Sequence, residues 1–300
     1  MKVKYKVENL LGLFDFDSFE ELVSSLNVVL ERGKSEIVPT LFFEAVETGT
    51  TVRQAAEEYG VTPHVHDEVM ERFYSETDAF VFELVVGHIR DACKEIDRRV
   101  IEAVDRFGEG GRMLCLGDGI GTDALRFAKA GFSVTYFEFD GPSSRFAQHR
   151  FSRAGVEDEI EVVHQLEEIP YDEYDVVVNR EVLEHVYDPP QVIDDIWEYL
   201  RKEGIAVVTE SFSRVDEKFP THLASNEKYA GKTDLLFVRI GFSLLKIYPQ
   251  WRPLVVRKTG KMVHSRYTSL LTKHRIKDAA RRVGRAALNG FRGWIAFRSE

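Results

Sequence analysis

Residues 113–140 read MLCLGDGIGTDALRFAKAGFSVTYFEFD, and this stretch decides the fold. A short apolar run ends in a glycine-rich turn, a helical segment follows as far as Gly131, and a second apolar run ends in acidic residues. A strand, a helix and a second strand in this order predict a βαβ unit with parallel strands and a right-handed crossover. Gly117, Gly119 and Gly121 stand at alternate positions, whereas dinucleotide-binding turns read G-x-G-x-x-G.

The turn and the end of the second strand have the chemistry of a nucleotide site. Glycine lets the chain turn tightly and lets a ligand approach the backbone, and the helix that follows offers free N–H groups at its start. Glu138 stands about 20 residues after the turn, where nucleotide-binding α/β folds place an acid on the ribose hydroxyls. Asp140 is the competing candidate, and the position at the strand end favours Glu138.

The alternation of strands and helices continues as far as residue 260. We therefore predict a Rossmann-like α/β fold, with a seven-stranded, mostly parallel sheet and helices on both faces. The predicted strands that follow are 160–165, 174–180, 204–211 and two more within 241–260, and the predicted helices are 142–155 and 189–202.

Two segments together resemble a known family. The stretch 113–140 is similar to the first two motifs of class I S-adenosylmethionine-dependent methyltransferases. The stretch 174–211, YDVVVNREVLEHVYDPPQVIDDIWEYLRKEGIAVVTES, is similar to their later motifs, and EVLEHVYDP is close to the pattern of the small-molecule enzymes of that class. The resemblance covers about 110–260 and implies a methyltransferase that uses S-adenosylmethionine as its cofactor.

The resemblance also implies roles for individual residues. It places the glycine turn against the methionine and ribose of the cofactor, Glu138 on the ribose hydroxyls and Phe139 on the adenine. The predicted cofactor-binding residues are Gly117, Asp118, Gly119, Gly121, Glu138, Phe139, Gln165, Leu166 and Asn179.

Two positions depart from the family pattern. Cys115 replaces the acid that commonly supports the methionine end of the cofactor, and Asp118 is a candidate to substitute for that acid. Gln165 stands where an aspartate often reaches the adenine amino group, and its amide oxygen can accept the same hydrogen bond.

His185 and Glu181 are the predicted catalytic residues, because the resemblance places them on the loop after the fourth strand. A histidine titrates near neutral pH and suits proton transfer, although it can equally serve to position the substrate. Tyr74 and His222 are predicted on the substrate side. No metal site is predicted: His64 and His66 lie two positions apart, a spacing that does not place them on one face of a helix.

Residues 1–107 read as helices, and we predict an accessory, substrate-capping domain there, which could also mediate a homodimer. Thr51 is expected to cap a helix that ends at Gly60, Pro63 to start the next one, and residues 78–107 to form one long helix. The segment 51–73 is similar to a helix-turn-helix, but acids outnumber bases in it, which argues against DNA binding. The methyltransferase domain is predicted at 108–260 and a basic extension at 261–300.

Charge is distributed unevenly along the 300 residues. Residues 251–300 contain 13 basic and two acidic residues, a net charge of +11, and the first 250 residues carry −21 because the whole chain carries −10. The basic C-terminus is compatible with a contact to an anionic membrane or a phosphate, and equally with a solvated helix face. Two cysteines and no signal-peptide pattern predict a cytoplasmic protein without a disulfide framework.

The predicted reaction is methyl transfer to an oxygen, nitrogen or carbon atom of a small metabolite. The first alternative is an RNA or protein methyltransferase, which the basic tail would favour and the acidic core disfavours. The second is a binding module that retains the fold without catalysis, an alternative that Cys115 and Gln165 keep open. An aminopropyl transferase fits less well, because EVLEH is a methyltransferase-like pattern.

Overall fold

A computed structural model describes residues 16–249 and 252–259. The described helices are α1 (Phe19–Leu30), α2 (Lys34–Val46), α3 (Thr50–Tyr59), α4 (Glu68–Glu76), α5 (Ala79–Ile89), α6 (Asp91–Phe107), α7 (Thr122–Lys129), α8 (Pro142–Ala154), α9 (Pro189–Tyr199) and α10 (Thr233–Ile240). Short 3₁₀ helices span Glu157–Glu159, Leu166–Glu168 and Ala224–Tyr229. The strands are β1 (Arg112–Leu116), β2 (Ser133–Phe137), β3 (Ile160–Val163), β4 (Tyr174–Arg180), β5 (Leu200–Thr209), β6 (Phe242–Ile247) and β7 (Leu254–Lys258).

The seven strands form one sheet in the order β3-β2-β1-β4-β5-β7-β6. The pairs from β3 to β5 are parallel, and β7 is antiparallel to both of its neighbours. The direction of winding reverses between β1 and β4, and such a switch point opens a crevice at the carboxyl ends of the strands. The predicted Rossmann-like fold is confirmed.

Helices cover both faces of the sheet. Inward-facing apolar residues of β1, β2, β4, β5 and β7 alternate along each strand, as expected of a pleated sheet, and form one core with α6, α7 and α8. On the opposite face, α9 and α10 bury Ile193, Ile196 and Phe237. Because both faces are covered, the central strands are apolar along nearly their whole length, which is why the sequence revealed them.

The N-terminal helices pack directly onto the glycine-rich turn. Apolar residues of α1, α2 and α5 surround Ile120, which lies inside that turn, and Phe146 of α8. A second apolar cluster joins α3 to α4 through Val52, Met70 and Phe73. These helices therefore lie over the carboxyl ends of the strands.

The predicted long helix over 78–107 is wrong, because the chain breaks it at Arg90. This residue has extended backbone dihedrals, and its guanidinium donates to the carbonyl oxygens of Glu44 and Ala45, each at 3.2 Å. These hydrogen bonds tie the break to the end of α2. The turn that results redirects the chain from the capping helices to α6, which packs against the sheet.

The predicted caps of the next helices are wrong in two places. Gly49, at φ +82°, precedes α3, and the hydroxyl of Thr51 instead donates to the buried carboxylate of Glu44 at 2.9 Å. Pro63 lies in a loop, and α4 begins only after Asp67, whose carboxylate accepts from the N–H of Met70 at 2.9 Å. The predicted end of α3 at Gly60 is confirmed by its left-handed φ of +81°.

No helix among the described residues is both long and apolar enough to cross a bilayer. The membrane or phosphate contact predicted for residues 261–300 lies outside the described residues.

A buried network of four charges joins α6, α7 and β4 below the crevice. Asp97 binds Arg126 and Arg180, each at 2.7 Å, and Asp123 binds the same two guanidiniums at 2.7 and 2.8 Å. Burial raises the pKa of Asp97, but Arg180 and Arg126 outweigh it and hold that pKa well below its ordinary value. Asp97 is therefore ionised at neutral pH, and the two carboxylates and two guanidiniums of the network are matched in number.

We expect Asp97→Asn to lower the free energy of unfolding by about 3 kcal/mol, because it leaves a buried guanidinium charge uncompensated. Urea denaturation at pH 7 measures this loss. The pKa of Asp97 is lowered in the fold, so its stabilisation is complete above its ordinary pKa of 3.8 and is lost as the pH falls below it.

Glu102→Gln is the matched control, because Glu102 lies on the same helix and pairs with Arg98 at the surface. We expect a change of less than about 1 kcal/mol for this exposed pair. Equal losses in the two variants at pH 7 would contradict the role of the buried network.

Candidate active site

The turn after β1 has a shape that requires glycine. Gly117 and Gly119 have φ angles of +73° and +53°. A Cβ at Gly117 would lie 2.7 Å from a methyl of Val182, and one at Gly119 would lie 2.6 Å from a methyl of Leu84. The turn is held from below, because the hydroxyl of Tyr136 donates to the carbonyl of Gly119. The turn thus packs closely against Val182 and Leu84, which line the same cavity.

Asp118 stabilises the start of α7 from within the turn. Its carboxylate accepts from the N–H groups of Asp123 at 3.1 Å and Ala124 at 2.7 Å. Burial, followed by the charge of Asp123, raises the pKa of Asp118 to about 7. Burial also keeps the thiol of Cys115 protonated by raising its pKa. The Asp118 side chain is used in the hydrogen bonds to α7 and does not project freely. It therefore does not replace the acid that the family commonly has at the position of Cys115.

Glu138 follows directly on the end of β2 and faces the crevice. One carboxylate oxygen accepts from the N–H of Gly119 at 2.7 Å, and the other accepts from the N–H of Phe139 at 3.0 Å. Burial raises the pKa of Glu138, and the two N–H groups oppose that rise. Since each carboxylate oxygen can accept a second hydrogen bond, this fixed group can still bind two neighbouring hydroxyls.

A cavity of about 900 Å³ lies at the carboxyl ends of β1, β2, β4 and β5. Residues of α4 and α5 close it on the side of the N-terminal helices. The structure brings ten of the predicted site residues to its wall: Tyr74, Gly117, Asp118, Gly119, Glu138, Phe139, Leu166, Glu181, His185 and His222. Phe139 and Leu166 are 54% and 42% exposed and offer apolar surface beside Glu138.

Three predicted cofactor residues do not line the cavity. The Asn179 amide is fully buried and donates to the carbonyl of Leu116 at 3.0 Å, which ties β4 to β1. The Gln165 side chain accepts from the backbone at the start of a 3₁₀ helix, in a capping box with Glu168. Gly121 precedes α7 and packs against Phe151.

Tyr74, His185 and His222 meet on the wall opposite the glycine turn. The Tyr74 hydroxyl lies 2.8 Å from Nδ1 of His185, and the two imidazole rings are edge to face with centroids 4.7 Å apart. Burial lowers the pKa of His185 to about 4 and that of His222 to about 2. Both imidazoles are therefore neutral at pH 7.

Two glutamates lie beside these histidines. Glu181 has a left-handed φ of +52°, and its carboxylate accepts from Ser211 at 2.6 Å and from Arg252 at 2.9 Å. Burial raises its pKa, but Arg252 and the hydroxyl donors bring it below the ordinary value. The Glu184 side chain is 1% exposed, and burial followed by the charge of Glu181 raises its pKa well above the ordinary range.

Sequence reasoning missed Glu184 and Arg252 as residues of this site. The pattern EVLEH carried a signal for Glu184, because it puts two acids and a histidine within five positions. Arg252 comes from a distant loop before β7, and no local pattern could have linked it to Glu181.

Residues 86–284 match the sequence profile of a family described as a methyltransferase domain, which is more than half of the chain. The chain belongs to this family. It is a class I S-adenosylmethionine-dependent methyltransferase, as the sheet order and the two sequence motifs also indicate. No curated protein matches the enzyme.

Two solved structures illustrate the similarity. Phosphoethanolamine N-methyltransferase 2 of Haemonchus contortus is 21% identical, over 48% of this chain and 37% of that one, with a TM-score of 0.39. This methyltransferase thus spans little more than a third of the Haemonchus enzyme. A methyltransferase of Aquifex aeolicus is 12% identical, over 55% of this chain and 90% of that one, with a TM-score of 0.46. The family assignment depends on the profile match and not on these structures.

The cavity fits S-adenosylmethionine. The glycines of the turn carry no Cβ, which is the property expected where a backbone must approach the methionine and ribose closely. Glu138 stays the predicted carboxylate for the ribose diol, and Phe139 and Leu166, on the same cavity wall, are predicted to contact the adenine. Ligand cavities are on the order of 300–1,000 Å³, so this one can hold the cofactor together with a small acceptor.

We expect Glu138→Ala to weaken S-adenosylmethionine binding by about 10- to 100-fold, because hydrogen bonds to a charged group contribute about 1.5–3 kcal/mol. Isothermal titration calorimetry of the cofactor into both proteins measures the change. Asp140→Ala, which removes the neighbouring acid, is expected to bind nearly as the wild type does. A large loss of S-adenosylmethionine affinity for Asp140→Ala, with no loss for Glu138→Ala, would assign the ribose-binding role to Asp140 instead of Glu138.

Proposed function

We propose that this methyltransferase modifies a small-molecule acceptor that binds in the cavity beside the cofactor. The observation that carries the proposal is a cavity that residues of α4 and α5 partly cover, with the side chains of Tyr74, His185 and His222 on its wall. A polymer substrate, such as RNA or a protein, would instead need an open groove that leads to the reactive methyl group.

The charge of the cavity wall supports the same proposal. Nine acidic and four basic residues line it, and burial raises the pKa of Glu83 and Asp118 to about 7 and that of Glu184 well above its ordinary value. The other six acids still outnumber the bases, which disfavours the phosphates of a nucleic acid and suits a neutral or cationic acceptor. The acidic residues are Glu71, Glu83, Asp118, Asp123, Glu138, Asp140, Glu181, Glu184 and Asp195, and the basic ones are Arg180, Arg214, Lys218 and Arg252.

S-adenosylmethionine supplies a methyl group that is already activated on a sulfonium, so the protein mainly orients the acceptor and excludes water. Burial raises the pKa of Tyr74, which keeps the phenol protonated and able to donate a hydrogen bond. His185 lies beside it as a neutral imidazole. These two groups are suited to fix a hydroxyl or amino group of the acceptor.

The general-base role of His185 stays a prediction. A base works best when its pKa is near the working pH, and a pKa of about 4 makes this imidazole a weak proton acceptor. We therefore propose that His185 positions the acceptor. Glu181 is ionised beside Arg252 and contributes negative charge near the path of the methyl group.

Methyl-labelled S-adenosylmethionine tests the acceptor class. The enzyme is incubated separately with the small-molecule filtrate, the RNA and the protein of one cell extract, and the label is counted in each. We expect label in the filtrate products, and its loss with Glu138→Ala. Label that enters RNA or protein alone would overturn the proposal.

We expect Tyr74→Phe to lower kcat/KM for the acceptor by about tenfold and to leave the Kd for S-adenosylmethionine unchanged. The lost hydroxyl contributes about one hydrogen bond, on the order of 0.5–1.5 kcal/mol. Initial rates of label transfer from S-adenosylmethionine, at low concentrations of the filtrate, compare the first quantity between the variant and the wild type, and calorimetry measures the second.

Tyr59→Phe is the matched control. Its hydroxyl donates to Glu76 on the neighbouring helix and does not line the cavity. We expect wild-type rates for this variant. A Tyr74→Phe variant that is as active as the control would remove Tyr74 from the acceptor site.

A further inference from the structure

Glu184, His185 and His222 bring three potential metal ligands together in the cavity wall. Each residue offers one ligand atom, and these atoms all lie within 4.8 Å of one another. Two of the residues follow β4, and the third follows β5, so the folded sheet creates the cluster from segments that are distant in sequence.

The Glu184 carboxylate needs a partner. It is 1% exposed, and apart from the N–H of its own residue neither oxygen has a hydrogen-bond partner among the described residues. Leaving buried carboxylate oxygens unpaired is costly, so either a proton or a cation must compensate them. The Glu181 carboxylate lines the same cavity, and its Oε1 is also buried and unpartnered.

Each histidine has one ring nitrogen committed and the other available. Nδ1 of His185 lies 3.1 Å from the carbonyl oxygen of Thr221 and 2.8 Å from the Tyr74 hydroxyl. Since a carbonyl only accepts, we place the proton on Nδ1, from which both oxygens can accept, and the lone pair on Nε2. His222 interacts with the backbone of Arg214, while its buried Nδ1 has no partner. Metal-binding histidines show this arrangement, in which a second-shell carbonyl orients the ring.

We propose that Glu184, His185 and His222 bind one divalent transition-metal ion, with Zn²⁺ the best match. Two imidazoles and one carboxylate are an established ligand set for catalytic zinc, in which the remaining position stays open. All three residues line the cavity, as does Glu181.

A cation here would serve the proposed function by lowering the pKa of an acceptor hydroxyl. That consequence rests on the small-molecule reaction proposed above, whereas metal binding itself does not. The chain can therefore bind metal without carrying out the proposed reaction, or carry out the reaction without binding metal, and the experiments distinguish the two cases.

The test uses the full chain after removal of metal with a chelator. Zn²⁺ alone is titrated by calorimetry, with Mn²⁺ and Mg²⁺ titrated separately. We expect one Zn²⁺ per chain, weaker binding of Mg²⁺, and a loss of Zn²⁺ affinity of at least about 100-fold in Glu184→Gln and His222→Ala, since even second-shell changes cost 10- to 100-fold. His149→Gln, which alters a histidine of α8 outside the cavity, is the control and should bind as the wild type does.

Thermal unfolding distinguishes a loss of Zn²⁺ binding from a failure of the variant to fold. Zn²⁺ should raise the Tm of the wild type and of His149→Gln and leave that of Glu184→Gln unchanged, because a ligand stabilises only the state that binds it. Without metal, Glu184→Gln should be at least as stable as the wild type, because it removes a buried acid. S-adenosylmethionine binding, measured in the same proteins, reports separately on the methyltransferase assignment.

Two results would overturn the proposal. One is the absence of stoichiometric Zn²⁺ binding by a wild-type protein that still binds S-adenosylmethionine. The other is equal Zn²⁺ affinity in the wild type, Glu184→Gln and His222→Ala, which would place the ion elsewhere on the chain.

Discussion

The buried network of Asp97, Asp123, Arg126 and Arg180 is the interaction on which the rest of the site depends. It joins the helix that leads out of the N-terminal segment, the helix after the glycine turn and the tip of β4. Each acid bridges two guanidiniums, so no member can leave without stranding a charge in the interior. Two of the four, Asp123 and Arg180, also line the cavity, which couples the packing of the fold to the shape of the site.

The cavity divides into two chemically different halves above this network. On the side of the glycine turn, backbone N–H groups and one fixed carboxylate, Glu138, suit a nucleoside with a neighbouring diol. On the opposite side, neutral imidazoles and a protonated phenol lie beside Glu181 and Glu184. We propose that the first half holds the methyl donor by shape and hydrogen bonding and that the second presents polar groups to an acceptor. Residues of the N-terminal helices line part of the same cavity.

The sequence predicted what depends on local pattern. Apolar runs punctuated by glycine predicted every strand of the sheet, with β4 exact at 174–180. The glycine turn and Glu138, which the sequence predicts to bind the cofactor, both lie on the cavity wall. The sequence did not predict the break at Arg90 or the burial of Glu184, because both depend on contacts between distant segments. Asn179 and Gln165 were assigned by position alone, and their amides are used in structural hydrogen bonds.

A crystal structure of the enzyme with S-adenosylhomocysteine tests the central claim most directly, namely that donor and acceptor groups share this one cavity. The account predicts that the ribose hydroxyls bind Glu138, that the adenine lies between Phe139 and Leu166, and that the sulfur points across the cavity toward Glu181 and His185. A nucleoside bound away from Glu138, or a sulfur that faces away from the histidines, would contradict it.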